Sequence, residues 1–163
     1  MERSDVGEKY ALLLKEADSY AEEQEDGALV HRITVLSHLL NGLKRSFPYM
    51  DWVGVYLKEK EKNLLYLGPY VGEPGCDLIP YGKGVCGTVA SAGKTLRVQD
   101  VRTLTNYIAC ASSTLSEIVL PMNEEDGSLY GVLDIDSDTL GAFTETDENY
   151  LGRIVSSLMK IRL

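Results

Sequence analysis

The sequence has few positive charges for its length, and none of its apolar runs is long. Its 163 residues carry 16 Lys and Arg against 25 Asp and Glu, a net charge of -9. A surface this negative repels phosphate backbones and anionic lipids, so we expect no nucleic acid and no membrane as partner. No apolar run approaches the ~20 residues that span a bilayer. Residues 1–20 also lack a signal-peptide pattern, so we expect a cytoplasmic protein.

Cysteine and histidine are scarce, with three and two copies. An odd number of cysteines argues against a framework of structural disulfides, and thiols in a reducing compartment are expected to be free at rest. There is no CxxC pair, and a closed zinc site requires four ligands, so we predict no metal site. His31 and His38 lie in a predicted helix, where packing or solvent exposure is the simpler interpretation.

The rest of the composition is typical of a soluble globular protein, with 44% hydrophobic and 25% charged residues. The length fits one domain, and no repeat or linker interrupts it, so we expect a single domain over 1–163. Apolar spacing predicts helices at 8–26, at 28–45, at 85–91 and from 143 onward, with Thr144 as the N-cap of the last. Leu29 and Ile33 are placed on the apolar side of the second helix.

The middle of the chain changes to the two-residue period of strands. The segments DWVGVYLKEK and NLLYLGPYVG, then TLRVQDV, then LSEIVLPM and SLYGVLDIDSD, are predicted strands. Because tight turns join several of them, the sheet should be mainly antiparallel, with five or six strands. The helices at the two chain ends should pack on one face, which makes the fold α+β.

Three acidic residues stand on the predicted hairpin near the C-terminus. Asp134 and Asp136 are two apart, so they point to one face of their strand, and Glu117 on the neighbouring strand can join them. One interpretation is the polar outer face of an edge hairpin. The other is a pocket that binds an ammonium group and supplies a general acid.

Aromatic residues repeat at a spacing of four on the first two strands. Trp52 and Tyr56 should share a face, and Tyr66 and Tyr70 repeat the pattern. Such pairs pack a sheet or line a pocket for a small, partly apolar ligand. The connection RTLTNYIACASST has little periodicity, and long connections of this kind are often functional. Taken alone, its Cys110 is more often a small buried hydrophobe.

Six segments resemble the free methionine-R-sulfoxide reductases, which are stand-alone GAF domains. In chain order, from about Asp51 to Asp147, they are DWVGVYL, LGPYVGEPGC, IPYGKGVCGTVA, IACAS, SEIVLP and GVLDIDSD. GKGVCGT is especially characteristic, and the three cysteines look like the family's full set. The resemblance implies a GAF-like fold and the reduction of free L-methionine (R)-S-oxide to L-methionine.

The resemblance also implies a role for each cysteine. Cys110 would be the nucleophile that attacks the sulfoxide sulfur and becomes a sulfenic acid. Cys76 would be the main resolving thiol, forming an intramolecular disulfide with Cys110, and Cys86 would be a secondary resolving or relay thiol. Thioredoxin would be the external reductant, and no bound cofactor is implied.

The acids and two aromatic residues complete the implied site. Glu117, Asp134 and Asp136 would hold the ammonium group of the substrate and assist protonation of the sulfoxide oxygen. Trp52 and Tyr56 would shape the pocket around the methyl sulfide end. Our hypothesis is that the three carboxyl groups share a proton, so that one acid stays neutral near pH 7 and can donate.

Two positions depart from the family pattern, and one alternative function stays open. Tyr107 and Ala111 stand in YIACA where the family more often has HIACD, which bears on the proton network. The alternative is a GAF module that binds a small ligand or senses redox state without catalysis. Sensory copies usually adjoin an output domain, and we expect none here. The sequence leaves open the physiological reductant, whether Cys76 or Cys86 resolves first, and whether the protein is a homodimer.

Overall fold

The structure is a computed structural model that describes residues 3–162 and the side chains of residues 5–162. Over this range the chain forms four α-helices and six β-strands. In chain order they are α1 (Arg3–Glu25), α2 (Arg32–Ser46), β1 (Trp52–Lys58), β2 (Leu64–Val71), β3 (Leu78–Pro80), α3 (Gly84–Ala92), β4 (Leu96–Val98), β5 (Ser116–Asn123), β6 (Leu129–Ser137) and α4 (Glu145–Lys160). A short 3-10 turn, Val101–Thr103, follows β4.

The six strands form one sheet in the order β3-β2-β1-β6-β5-β4. Every neighbouring pair is antiparallel, which confirms the predicted sheet. The strands β2, β1, β6 and β5 lie in its interior, and most residues of β1, β5 and β6 are buried. Within residues 3–162, no helix has both the length and the apolar character needed to cross a membrane.

Helices α1, α2 and α4 pack together on one face of the sheet, here called the helix face. The amphipathic spacing of α4, which begins at a Thr144–Asp147 capping box, turns its apolar stripe inward. The largest fully buried side chains of this core include Tyr10, Leu36, Leu39, Leu40, Leu43, Phe47, Met50, Met122 and Phe143. The prediction that the terminal helices cover one face is therefore confirmed.

Helix α2 begins four residues later than its apolar spacing predicts. Residues 28–31 are not helical, and Leu29 and Ile33 are 88% and 45% exposed, so their placement on the apolar side was wrong. Arg32 occupies the inward position instead. Its guanidinium bonds both carboxylate oxygens of Glu124 and the carbonyl of Ile161, and these partners offset the cost of burying a charge.

A second buried polar anchor on the helix face is Asp147. Its carboxylate accepts hydrogen bonds from the hydroxyl of Tyr10 at 2.7 Å and that of Tyr49 at 2.5 Å. The backbone N–H and the hydroxyl of Thr144 donate to its other oxygen, at 2.7 and 2.8 Å. One side chain thus ties α1, α4 and the segment after α2 together.

The opposite face, here called the cavity face, is covered by α3 and by the loops around it. A separate apolar cluster lies there, formed by Trp52, Tyr56, Leu65, Ile79, Val85, Val89, Val98, Val101, Val119 and Val132 among others. Acidic residues lie beside this cluster: Glu117 near the start of β5, and Asp134 and Asp136 near the end of β6. The cavity face therefore combines a smaller core with polar groups, which is where a site is expected.

An irregularity in the pairing of β1 with β2 separates two tyrosines that the spacing predicts on one face. Gly54 pairs with Tyr70 and Leu57 pairs with Tyr66, with a register shift between the two pairs. Tyr70 therefore stacks on Trp52 on the cavity face, whereas Tyr66 points with Leu57 to the helix face. The prediction of a repeated aromatic pair was wrong because a shift of one residue reverses the face.

Candidate active site

Two of the three cysteines are joined on the cavity face. Cys76, in the loop between β2 and β3, forms a disulfide with Cys110, in the connection between the 3-10 turn and β5. Their Cα atoms are 5.1 Å apart although 34 residues separate them in sequence. Both are half-buried, so a redox partner can approach them. The structure thus contains the pairing that the resemblance implies, in its oxidised form.

Aromatic side chains hold the loop that carries Cys76. The indole N–H of Trp52 donates to the carbonyl of Glu73 at 2.8 Å, and the Trp52 ring stacks on Tyr56, with centroids 6.0 Å apart. Gly72 has a φ of +143°, and a Cβ there would lie 2.5 Å from the indole. Only glycine therefore lets the loop lie this close to the ring. Trp52 and Tyr56 lie beneath the loop rather than in the wall of the cavity described below.

The three acids lie together because of strand register. Glu117 on β5 pairs directly with Asp136 on β6, and Asp134 is two residues along the same strand. Glu117 and Asp134 are buried and Asp136 is half-buried. Because β5 and β6 are interior strands, these carboxyl groups do not form the outer face of an edge hairpin.

A small cavity lies between the acids and the disulfide. Its volume is about 20 Å³, which leaves room for about one water molecule. It is lined by Ile79, Gly84, Val85, Cys86, Tyr107, Ile108, Cys110, Ala111, Glu117, Asp134 and Asp136. The sulfur of Cys110, three carboxyl groups and the first turn of α3 therefore meet at one place.

Burial raises the pKa values of all three acids, and neighbouring carboxylates raise those of Glu117 and Asp136 further. Burial raises the pKa of Asp134 to about 6, although hydrogen bonds from Cys86 and Glu117 lower it. Burial, followed by the charges of Asp134 and Asp136, holds the pKa of Glu117 well above its usual range. Burial and the neighbouring carboxylates likewise raise the pKa of Asp136. Burial and the neighbouring carboxylates therefore favour the protonated form of Glu117 beside Asp134.

The third cysteine, Cys86, is free and buried in the first turn of α3. Burial raises the pKa of its thiol well above the usual range, and Asp134 and Glu117 raise it further. The thiol donates a hydrogen bond to Asp134. Because the thiolate is the reactive form, Cys86 is a poor nucleophile in this state.

The two positions that depart from the family pattern both line the cavity. The Tyr107 hydroxyl is hydrogen-bonded to Thr114, and burial, followed by the charge of Glu117, raises its pKa. The phenol therefore stays protonated beside the acids. Ala111 adds a small apolar surface where an acid would add a fourth carboxyl group.

Several lining residues were not identified from the sequence. Ile79 and Ile108 form an apolar wall, and buried Thr114 holds Tyr107. The sequence gives a cue only at Gly84, where a glycine permits a φ of +61°. The N–H of this residue donates to the carbonyl of Asn106. Neither histidine is near the cavity, since His31 caps α2 and His38 stacks on Tyr20 of α1.

Comparisons with known proteins fit this geometry. A family model described as GAF domain matches residues 28–163. The chain is 40% identical to Protein YtsP of Bacillus subtilis over 156 residues, which cover 96% of this chain and 92% of that protein. The class of protein defined by this fold and site is therefore the GAF domain.

Two solved structures narrow the class. One is free methionine-R-sulfoxide reductase from Neisseria meningitidis in complex with its substrate, at 36% identity and a TM-score of 0.86, covering 98% of this chain and 92% of that one. The other is the reduced form of fRMsr of Staphylococcus aureus, at 40% identity and a TM-score of 0.82, covering 93% of each chain. The chain belongs to the free methionine-R-sulfoxide reductase family of GAF domains.

Proposed function

We propose that the protein reduces free L-methionine (R)-S-oxide to L-methionine, with Cys110 as the nucleophile. The observation that carries this proposal is the Cys76–Cys110 disulfide beside a cavity with three carboxyl groups. A disulfide between two half-buried cysteines on loops is the product expected of a thiol-dependent reduction. The similarity to two reductase structures supports the choice of substrate.

The acids supply the two functions that the substrate requires. A sulfoxide is a poor electrophile until its oxygen is protonated, and Glu117, whose protonated form is favoured by burial, is the donor. Asp134, whose pKa is raised only to about 6, offers negative charge to the ammonium group of the substrate, and Asp136 beside it accepts a hydrogen bond from that group. A pocket that pairs with this free ammonium group discriminates against a methionine sulfoxide within a polypeptide.

The reaction proceeds in balanced steps. The Cys110 thiolate attacks the sulfoxide sulfur while Glu117 protonates the oxygen, and the oxygen passes to Cys110, giving methionine and a sulfenic acid. The Cys76 thiol then attacks the sulfur of Cys110, which expels water and forms the disulfide. The two thiols thereby supply the two electrons that the sulfoxide accepts. Exchange with the dithiol of thioredoxin restores both thiols and leaves thioredoxin oxidised.

The disulfide form is closed to substrate. A cavity of about 20 Å³ holds about one water molecule rather than an amino acid. Reduction frees the Cys76 loop, and its movement uncovers Trp52 and Tyr56, which lie beneath it. These rings then contact the methyl sulfide end of the substrate.

A coupled assay tests the reaction directly. Thioredoxin, its reductase and NADPH are supplied with the R epimer of free methionine sulfoxide, the S epimer, or a peptide that contains methionine sulfoxide. Only the free R epimer should be consumed. Equal turnover of both epimers, or preference for the peptide, would contradict the proposal.

Trapping of the sulfenic acid tests the roles of the cysteines. Reduced Cys76→Ser should give one methionine per chain in a single turnover and should then be labelled on Cys110 by dimedone. Cys110→Ser is the matched control and should give neither product. If dimedone labels Cys86 instead, the assigned nucleophile is wrong.

A further inference from the structure

Beyond the proposed reduction, we infer that three buried side chains on the cavity face form a binding site for a thiophilic divalent cation such as Zn²⁺. They are Cys86 on α3, Glu117 on β5 and Asp134 on β6. The sulfur and one carboxylate oxygen from each acid lie within 4.8 Å of one another. Three separate elements thus bring a sulfur and two oxygens together around one point.

The hydrogen bonding of Asp134 is incomplete and points to a ligand. Asp134 is only 5% exposed and lines the cavity. Among the residues that the structure describes, its Oδ1 atom has no hydrogen-bond partner. A buried polar atom without a partner loses its hydration and gains no hydrogen bond in return, so it destabilises the fold. A cation at this position provides the partner that the fold leaves out.

The donor set decides which cations fit. A thiolate with two carboxylates suits Zn²⁺ and Co²⁺, whereas Ca²⁺ and Mg²⁺ prefer six or more oxygen ligands. A tetrahedral zinc site also requires a fourth ligand. Cys110 and Asp136 line the same cavity, and the sulfur of Cys110 is available only after the disulfide is reduced. The reduced protein should therefore bind the cation more tightly than the disulfide form.

Cobalt provides a direct test, because a thiolate bound to Co²⁺ gives a charge-transfer absorption that carboxylates alone do not give. The full chain is reduced, freed of reductant under argon and titrated with Co²⁺, and Zn²⁺ is then added. We expect one Co²⁺ per chain, with a thiolate band that Zn²⁺ abolishes. The disulfide form should show weaker binding in the same titration.

Variants identify the ligands. Because loss of an outer partner of a metal ligand alone costs about 10–100-fold in affinity, Cys86→Ser and Asp134→Asn should each weaken Co²⁺ binding at least that much. Cys76→Ser is the matched control, since Cys76 is not among the three ligands, and it should bind as the wild type does. Circular dichroism confirms that each variant is folded.

Two results would overturn the inference. The first is a thiolate band and affinity that survive in Cys86→Ser but disappear in Cys110→Ser, since the half-buried Cys110 thiol alone would then bind the metal. The second is no thiolate band in wild-type protein whose three thiols are shown to be reduced. Neither measurement uses methionine sulfoxide, so failure here is distinguishable from failure of the proposed reaction.

Discussion

Asp147 on the helix face and Asp134 on the cavity face are both buried aspartates, but their hydrogen bonding differs. Asp147 accepts four hydrogen bonds, two of them from tyrosine hydroxyls. Asp134 faces two other carboxyl groups, its pKa is raised to about 6, and its Oδ1 has no partner among residues 3–162. An aspartate side chain thus has all its hydrogen-bond partners on the helix face and lacks one on the cavity face.

This difference indicates that polar groups on the helix face stabilise the fold, whereas those on the cavity face are available for chemistry. On the helix face, the polar groups have their partners within the fold and join three helices. On the cavity face, Oδ1 of Asp134 has no partner among the described residues, so the cluster that it forms with Glu117 and Asp136 can hold a cationic ligand. Substitutions on the helix face should therefore change the free energy of unfolding, and substitutions on the cavity face should change turnover.

The largest expected effect is on turnover and comes from the cavity face. Cys110→Ser should lower kcat for the free R epimer at least about 10⁴-fold, because losing a nucleophile removes the covalent step. The thermal melting temperature of the reduced proteins should change little. The coupled assay and a melting curve measure both quantities, and a loss of less than tenfold in kcat would contradict the prediction.

The corresponding change on the helix face should act on stability. Asp147→Ala removes four accepted hydrogen bonds and leaves the hydroxyls of Tyr10 and Tyr49 buried, so we expect a loss of about 3–5 kcal/mol. Urea unfolding measures it. Tyr49→Phe is a milder control that removes one donor only and should cost about 1 kcal/mol. If the urea midpoint of Asp147→Ala equals that of the wild type, the prediction that Asp147 stabilises the helix face is wrong.

A third experiment uses pH. The pKa of Asp134 rises from 3.8 to about 6 on folding, so its protonation stabilises the fold fully below pH 4, and this stabilisation is lost as pH rises through 6. The loss corresponds to about 3 kcal/mol. Between pH 4 and pH 8, the difference in unfolding free energy between Asp134→Asn and the wild type should therefore shift by about this amount in favour of the variant.

Urea midpoints at the two pH values measure the effect. The exposed Asp26, in the turn after α1, offers a matched control in Asp26→Asn, which should show no such change relative to the wild type. The prediction fails if the stability difference between wild type and Asp134→Asn is the same at both pH values.

The smallest expected effect concerns the family departure at Tyr107. Tyr107→Phe leaves the hydroxyl of Thr114 without its partner and should cost about 1 kcal/mol of stability. The phenol also lies beside the acids, so kcat/KM should fall by a few fold. If Tyr107→Phe changes neither quantity, the phenol is a passive wall of the cavity.

The elements were predictable where a single period repeats. The α4 helix follows from its apolar stripe and Thr144, and the clustering of Glu117 with Asp134 and Asp136 follows from two-residue alternation on paired strands. Such patterns are local, so the sequence displays them without reference to the rest of the fold.

The errors arose where a distant contact overrides the local pattern. Arg32 takes an inward position on α2 because Glu124 and the Ile161 carbonyl, far away in sequence, receive its guanidinium. A register shift between β1 and β2 separates the faces of Tyr66 and Tyr70. Cys86 comes from α3, so no spacing indicated that its thiol lies beside Glu117 and Asp134.

The contact between Trp52 and the Cys76 loop has a spectroscopic consequence. Trp52 is the one tryptophan of the chain, and its indole N–H is fixed to the backbone of the loop. Its fluorescence therefore comes from a single place, next to the cysteine pair. In the proposed opening of the loop, water should reach the ring, and the emission maximum should shift to longer wavelength. The protein thus carries a native optical reporter that follows the opening of the disulfide in real time without any added dye.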